Sequence, residues 1–102
     1  IFLSHIPLYN SPYISVRARN CWAPLLHEFN PDLMLAGHDH TWRKTVPPTE
    51  ATPWPTLVGG GPDMQGDEEC TVMLLSSDEK TLNVRLLGAK GGQALTEFAV
   101  KK

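Results

Sequence analysis

The chain is poor in cysteine, has no large surplus of charge of either sign, and contains no long apolar run. Cys21 and Cys70 are its only cysteines, enough for one disulfide at most and not a metal motif, so the redox compartment stays open. Nine Lys and Arg stand against eleven Asp and Glu, a formal net charge of -2. That balance argues against a basic field of the kind that neutralises nucleic-acid phosphates. The longest apolar stretches, such as Leu33-Met34-Leu35-Ala36, fall far short of the roughly 20 residues a membrane-spanning helix needs. The opening Ile1-Phe2-Leu3 has neither an initiator Met nor a basic leader, and the expectation is a fragment of a longer protein. At 102 residues there is room for one modest core.

What is present is unevenly distributed. All nine prolines, all four histidines and all three tryptophans fall in residues 1–62, where four basic and four acidic residues balance. Residues 63–102 hold seven acids against five bases. The shift reads as a change of role within one domain: loops, one helix and short strands over 1–62, then a β-rich tail over 63–102. Ile1-Phe2-Leu3 reads as a buried strand near 1–4, and Pro7 and Pro12 make residues 4–15 an extended loop. Asn20 is the expected N-cap of a helix over 20–29, with Pro24 in its first turn and Trp22, Leu25, Leu26 and Phe29 on one face. Asn30-Pro31 ends that helix. Further strands are expected near 32–36 and 56–59, the second entering a Gly59-Gly60-Gly61 turn. Pro47, Pro48, Pro53 and Pro55 leave only short extended pieces before it. Three β segments near 70–76, 81–88 and 93–100, with turns at Asp78-Glu79 and Gly91-Gly92, give a meander.

The informative chemistry is histidine. His5 follows one short apolar strand, and His38 and His40 flank Asp39 after another strand and Gly37. Neighbouring parallel strands would bring these ends together, converging three imidazoles on one crevice of the kind where open α/β sheets hold their ligands. Imidazole suits Zn, Fe, Cu or Ni, and Gly37 permits the tight turn. From spacing alone, a metal role and an ordinary polar-loop role stand level. His27, on the helix, reads as a surface or packing residue.

Ser4-His5-Ile6-Pro7-Leu8-Tyr9-Asn10-Ser11, followed by Ala36-Gly37-His38-Asp39-His40, resembles the C-terminal half of calcineurin-like metallophosphoesterases. The His-x-Pro-x-Tyr-Asn-Ser form is most similar to the purple acid phosphatase branch. The resemblance spans essentially the whole chain. It implies an α/β fold, the C-terminal part of a four-layer α/β/β/α sandwich ending in an antiparallel β meander. It also implies that His5 and His38 serve one metal and His40 a second, with two ions of Fe, Zn or Mn in the complete domain. Such a pair polarises a phosphoryl group and activates water for hydrolysis of a phosphoester substrate. Export is common among similar proteins, but the compartment is not fixed.

Several parts of that family pattern are missing. The upstream Asp-x-His, Gly-Asp-x-x-Asp/Tyr and Gly-Asn-His-Glu/Asp motifs do not occur, so the 102-residue chain alone is expected to be inactive without an N-terminal half. Gly66-Asp67-Glu68-Glu69-Cys70 looks like the second motif but comes after Gly-His-x-His and reads as a polar turn. Tyr9 and Trp42, beside the motifs, are the candidates for a substrate cleft; Tyr13 and Trp54 lie further off, and covering the core is the commoner role for loop aromatics. Arg17, Arg19, Arg43 and Lys44 read as solvated surface residues, with phosphate contact as the alternative. The rival function is a non-catalytic β-rich binding or interaction domain that retains its histidines. A fragment of a sandwich would also expose apolar segments and strand edges, so a homo-oligomer is expected of the isolated piece.

Overall fold

The computed structural model describes residues 1–14, 16–61 and 70–101. Two sheets and one helix form three layers. Strands β1 (Phe2–Leu3), β2 (Met34–Ala36), β3 (Arg43–Thr45) and β4 (Thr56–Val58) build a mixed sheet in the order β1-β2-β4-β3. β1, β2 and β4 run parallel, and β3 pairs antiparallel to β4. Strands β5 (Thr71–Ser77), β6 (Thr81–Gly88) and β7 (Ala94–Lys101) form the antiparallel meander. The helix α1 spans Val16–Phe29.

Side-chain alternation explains the stacking. Along β6, Leu82, Val84 and Leu86 are buried while Asn83 and Arg85 face outward. The inward three meet Leu33, Leu35 and Leu57 of the mixed sheet, and this inter-sheet cluster is the main core. Met34, pointing the other way, joins Leu8, Leu26 and Trp54 in a second cluster on the helix side.

The helix departs from its expected limits. It begins at Val16, so Asn20 lies inside it and is not its N-cap, and Pro24 sits in its interior. Arg17, Ala18 and Arg19 are good helix formers and extend it backward. Pro24 and Asn20 are both exposed, so the Asn20 carbonyl that loses its usual partner lies on the solvent side. The end falls where expected: Asn30 takes a left-handed φ of 44° and its N–H donates to the Leu26 carbonyl at 2.8 Å. Of the apolar face, only Leu26 is buried; Trp22, Leu25 and Phe29 stay exposed. β1 likewise leaves Ile1 and Leu3 exposed and is not buried on both faces as its sequence suggested. The reason is common to both, since β1 is an edge strand and nothing among the described residues covers its far side.

β3 is an addition to the expected strands. Its Arg-Lys-Thr sequence has no apolar signal and forms by pairing with β4. The meander matches expectation closely, including the turns after β5 and β6. Cys21 and Cys70 are free. The Gly66–Glu69 stretch lies outside the described residues. Among the described residues no helix is long and apolar enough to cross a membrane.

The two faces of the meander differ in what they contribute. Replacing Leu86, fully buried between the sheets, by Ala should cost about 2–5 kcal/mol of unfolding free energy. The same change at Leu74, which is 45% exposed, should cost well under half of that, as urea denaturation would measure.

Candidate metal centre

The site lies beyond the C-terminal ends of β1 and β2. Parallel pairing aligns Phe2 with Met34 and Leu3 with Leu35, so the chain leaves both strands at the same level. The Gly37 N–H continues the ladder past the strands, donating to the His5 carbonyl at 3.0 Å. Two residues after each strand, His5 and His38 therefore meet. His38 Nδ1 lies 3.0 Å from His5 Nε2, and the rings cross edge to face with centroids 4.9 Å apart.

Tight turns present both Gly-His-x-His histidines. The Asp39 N–H closes back on the Gly37 carbonyl at 2.8 Å. His38 and His40 have φ values of 66° and 57°, in the left-handed region where His is better tolerated than most side chains. Between them Asp39 turns inward. Its side chain is 2% exposed, accepts a hydrogen bond from Ser11 Oγ at 2.9 Å, and pairs with the Arg43 guanidinium.

His40 takes a different place. It packs against Gly61, where an added Cβ would lie 3.2 Å from the His40 Cδ2 atom. Gly61 alone of the three consecutive glycines has a positive φ, at 91°, so the turn expected at 59–61 is confined to its last residue. Gly59 and Gly60 are covered by β5: Thr71 Oγ1 accepts the Gly60 N–H at 2.8 Å, and Met73 Cε would be 3.0 Å from a Cβ on Gly59. Of the three sequence-predicted ligands, the structure thus brings His5 and His38 together. No group of three or more His, Cys, Asp or Glu is placed to hold a metal among the described residues.

The donor pair suits one ion. Two nitrogens bound tetrahedrally to the same zinc at about 2.0–2.1 Å lie about 3.3–3.4 Å apart, so the 3.0 Å separation found would need to open by only a few tenths of an ångström. Without an ion the same approach is an imidazole–imidazole hydrogen bond, one ring donating and the other accepting. Two nitrogens make a partial ligand set. Asp39 does not extend it, because both of its oxygens are engaged by Ser11 and Arg43.

The aromatic candidates are packed elsewhere. Tyr9 lies edge-on to Trp54 at 5.8 Å on the helix side, with the Arg19 guanidinium over its ring. Trp42 packs against the inter-sheet cluster on the opposite side of the mixed sheet. The aromatic at the histidine pair is Tyr13, edge to face with His38 at 4.9 Å and 57% exposed. No spacing rule in the sequence marks Tyr13, because the irregular loop of 4–14 decides its place. His27 is a packing residue at the surface, its ring 4.9 Å from Trp54. Arg43 departs from the solvated role expected of it, and Lys44 lies over the Phe98 ring at 5.8 Å.

Comparison with protein-family models and with curated proteins gives no match. Solved structures do match. GAP50 of Plasmodium, described as the anchor in the inner membrane complex, superposes with a TM-score of 0.68 at 16% identity, over 95% of this chain and 34% of that one. A conserved protein of Streptococcus pneumoniae described as a predicted phosphoesterase gives 0.52 at 15% identity, over 78% of this chain and 45% of that one. A weaker likeness, with a TM-score of 0.49 at 16% identity, is to Vps29 of Entamoeba histolytica complexed with zinc, over 81% and 46% of the two chains. From the first two, the fold is similar to part of the calcineurin-like metallophosphoesterase fold, and the chain spans 34% and 45% of those two structures.

The contact of Gly61 with His40 can be tested directly. Gly61→Ala should lower stability by about 1–3 kcal/mol, because alanine must take the positive φ and crowd the imidazole. Urea denaturation measures the loss, and the His40 ring signals in an NMR spectrum should shift while those of His27 stay in place.

Proposed function

We propose that this chain is the C-terminal portion of a dinuclear metallophosphoesterase of the purple acid phosphatase-like kind, which hydrolyses a phosphate ester. The observation that carries the reading is the 3.0 Å approach of His5 Nε2 and His38 Nδ1 from the ends of two parallel strands. In this reading His5 and His38 hold one ion and His40, turned by its own positive φ, contributes to the second. Bound Fe, Zn or Mn ions would supply charge stabilisation to the phosphoryl oxygens and acidify a water. The chain's own residues orient. His38 and His40, and not Gly37, take the positive φ of the turn; Asp39 anchors it, and Tyr13 forms a wall beside His38. The remaining ligands, a bridging carboxylate and an Asn in the resembled family, would come from an N-terminal half.

A second reading has its own support. The fold match with the higher score is to a protein described as an anchor, and two of the three histidines come together here. A non-catalytic interaction domain would need nothing more.

Both readings share a joining surface. β1 and β5 are edge strands on the same side of the stack, since Leu3, His5, Leu35 and Met73 line one groove between them. Ile1 and Leu3 are exposed on that side, and Ile1 continues onto Trp22, Leu25 and Phe29 of α1; Val72 and Leu74 of β5, alternating with Met73, are exposed on the outer face of the meander. On the opposite edge β3 presents the exposed Lys44, with Arg43 engaged by Asp39. The chain covers 34% and 45% of the two matched structures, which favours the rest of the same domain as the occupant of the apolar side.

In the complete protein, His38→Ala should remove one of two bound ions and most phosphatase turnover, with elemental analysis and a phosphoester assay as the measurements. Two retained ions with unchanged turnover would end the hydrolase reading. A complete protein that binds no metal would favour the anchor-like one. Alone, the 102-residue chain should self-associate through its apolar side; a compact monomer in sedimentation at high concentration would show that this side needs no cover.

A further inference from the structure

We infer that Asp39 is a positioning residue: its buried carboxylate ties the His5 loop, the His38–His40 turn and β3 into one rigid cradle, with Ser11 and Arg43 acting through it. Ser11 reaches Asp39 Oδ1 from the loop that begins at His5, and Arg43 reaches Oδ2 from β3. The Asp39 side chain is 2% exposed and the Arg43 side chain 27%. A carboxylate so far from water persists because both oxygens have partners. Arg43 neutralises it through a single charge-assisted contact from Nη2 to Oδ2.

The consequence falls on the flanking residues. Asp39 sits between two histidines that both have positive φ, a conformation that persists only where surrounding contacts over-determine it. With the Asp39 side chain pinned inward, the turn has His38 held towards His5 and His40 against Gly61. Ser11 contributes from the other side. The same hydroxyl accepts the Tyr13 N–H at 3.1 Å, so it also sets the loop that carries the ring beside His38. The geometric claim stands on these contacts; its importance for metal binding rests on the phosphoesterase reading.

The test separates the two. In metal-free protein, imidazole nitrogen spectra and an inter-ring Overhauser effect report the His5–His38 contact. Asp39→Asn should abolish that contact, and zinc titration by calorimetry should show affinity lowered by about 10–100-fold, the usual effect of removing a group that orients a ligand. Arg43→Lys, which keeps the charge, should retain most of both signals. Ser11→Ala spares the ion pair and keeps the test open if Asp39→Asn does not fold; it should weaken the inter-ring signal part-way. An unchanged His5–His38 contact in Ser11→Ala and in a folded Asp39→Asn would overturn the inference, whatever happens to stability. A contact that responds as expected in a protein with no measurable zinc affinity would uphold the cradle and count against the metal reading.

Discussion

Everything at the candidate site depends on the parallel register of β1, β2 and β4. Phe2 N–H donates to the Leu33 carbonyl at 2.9 Å and Ser4 N–H to Leu35 at 3.1 Å; on the other side Met34 N–H reaches Pro55 and Gly59 N–H reaches Ala36. The three strands are only two or three residues long, so few bonds fix them. Burial supplies the rest. Leu33, Leu35 and Leu57 must face the meander and Met34 the helix, and a slip of one residue would reverse every one of them. The same slip would move His5 by about 3.3 Å along its strand, farther than any imidazole contact tolerates. Apolar packing several residues away thereby sets a nitrogen–nitrogen distance.

The stack is also lopsided. Its β3 edge carries one exposed cation, Lys44, of the kind that discourages further pairing, while β1 offers Leu3 exposed on an edge strand. The second sheet follows the same polarity, with apolar Val72, Leu74 and Leu75 on its β5 edge. Lys44 over Phe98 joins the sheets on the charged side. A hydrolase and an anchor would need this asymmetry equally, because it concerns how the layers are completed and not what the histidines do.

Most of the frame was legible in the sequence. The alternation of Leu82, Val84 and Leu86, the run Leu33-Met34-Leu35 and the stop at Asn30-Pro31 are local signals, and the structure follows them. Of the expected convergence of three imidazoles, the pairing of His5 with His38 holds, since two strand ends before two histidines need only parallel neighbours to converge, while His40 packs against Gly61 instead. What could not be read was set by distant partners. β3 has no apolar period and exists because β4 is beside it. Arg43 looks like any surface cation until Asp39 turns inward four residues earlier. Tyr13, and not Tyr9 or Trp42, stands at the histidines because a proline-containing loop with no regular period carries it there.

The histidines stand outside both hydrophobic clusters, past the strand ends, with His5 exposed and His38 and His40 half-buried. Exchanging them for other polar residues would remove nothing from either core. The three-layer frame and the chemistry at its rim are therefore only loosely bound to each other by the free energy of folding. A lineage built on this frame can lose its reaction in a few substitutions and keep its shape, or keep the imidazoles while the body is recruited as a scaffold. Shape similarity between such proteins then measures common architecture and is nearly silent about turnover.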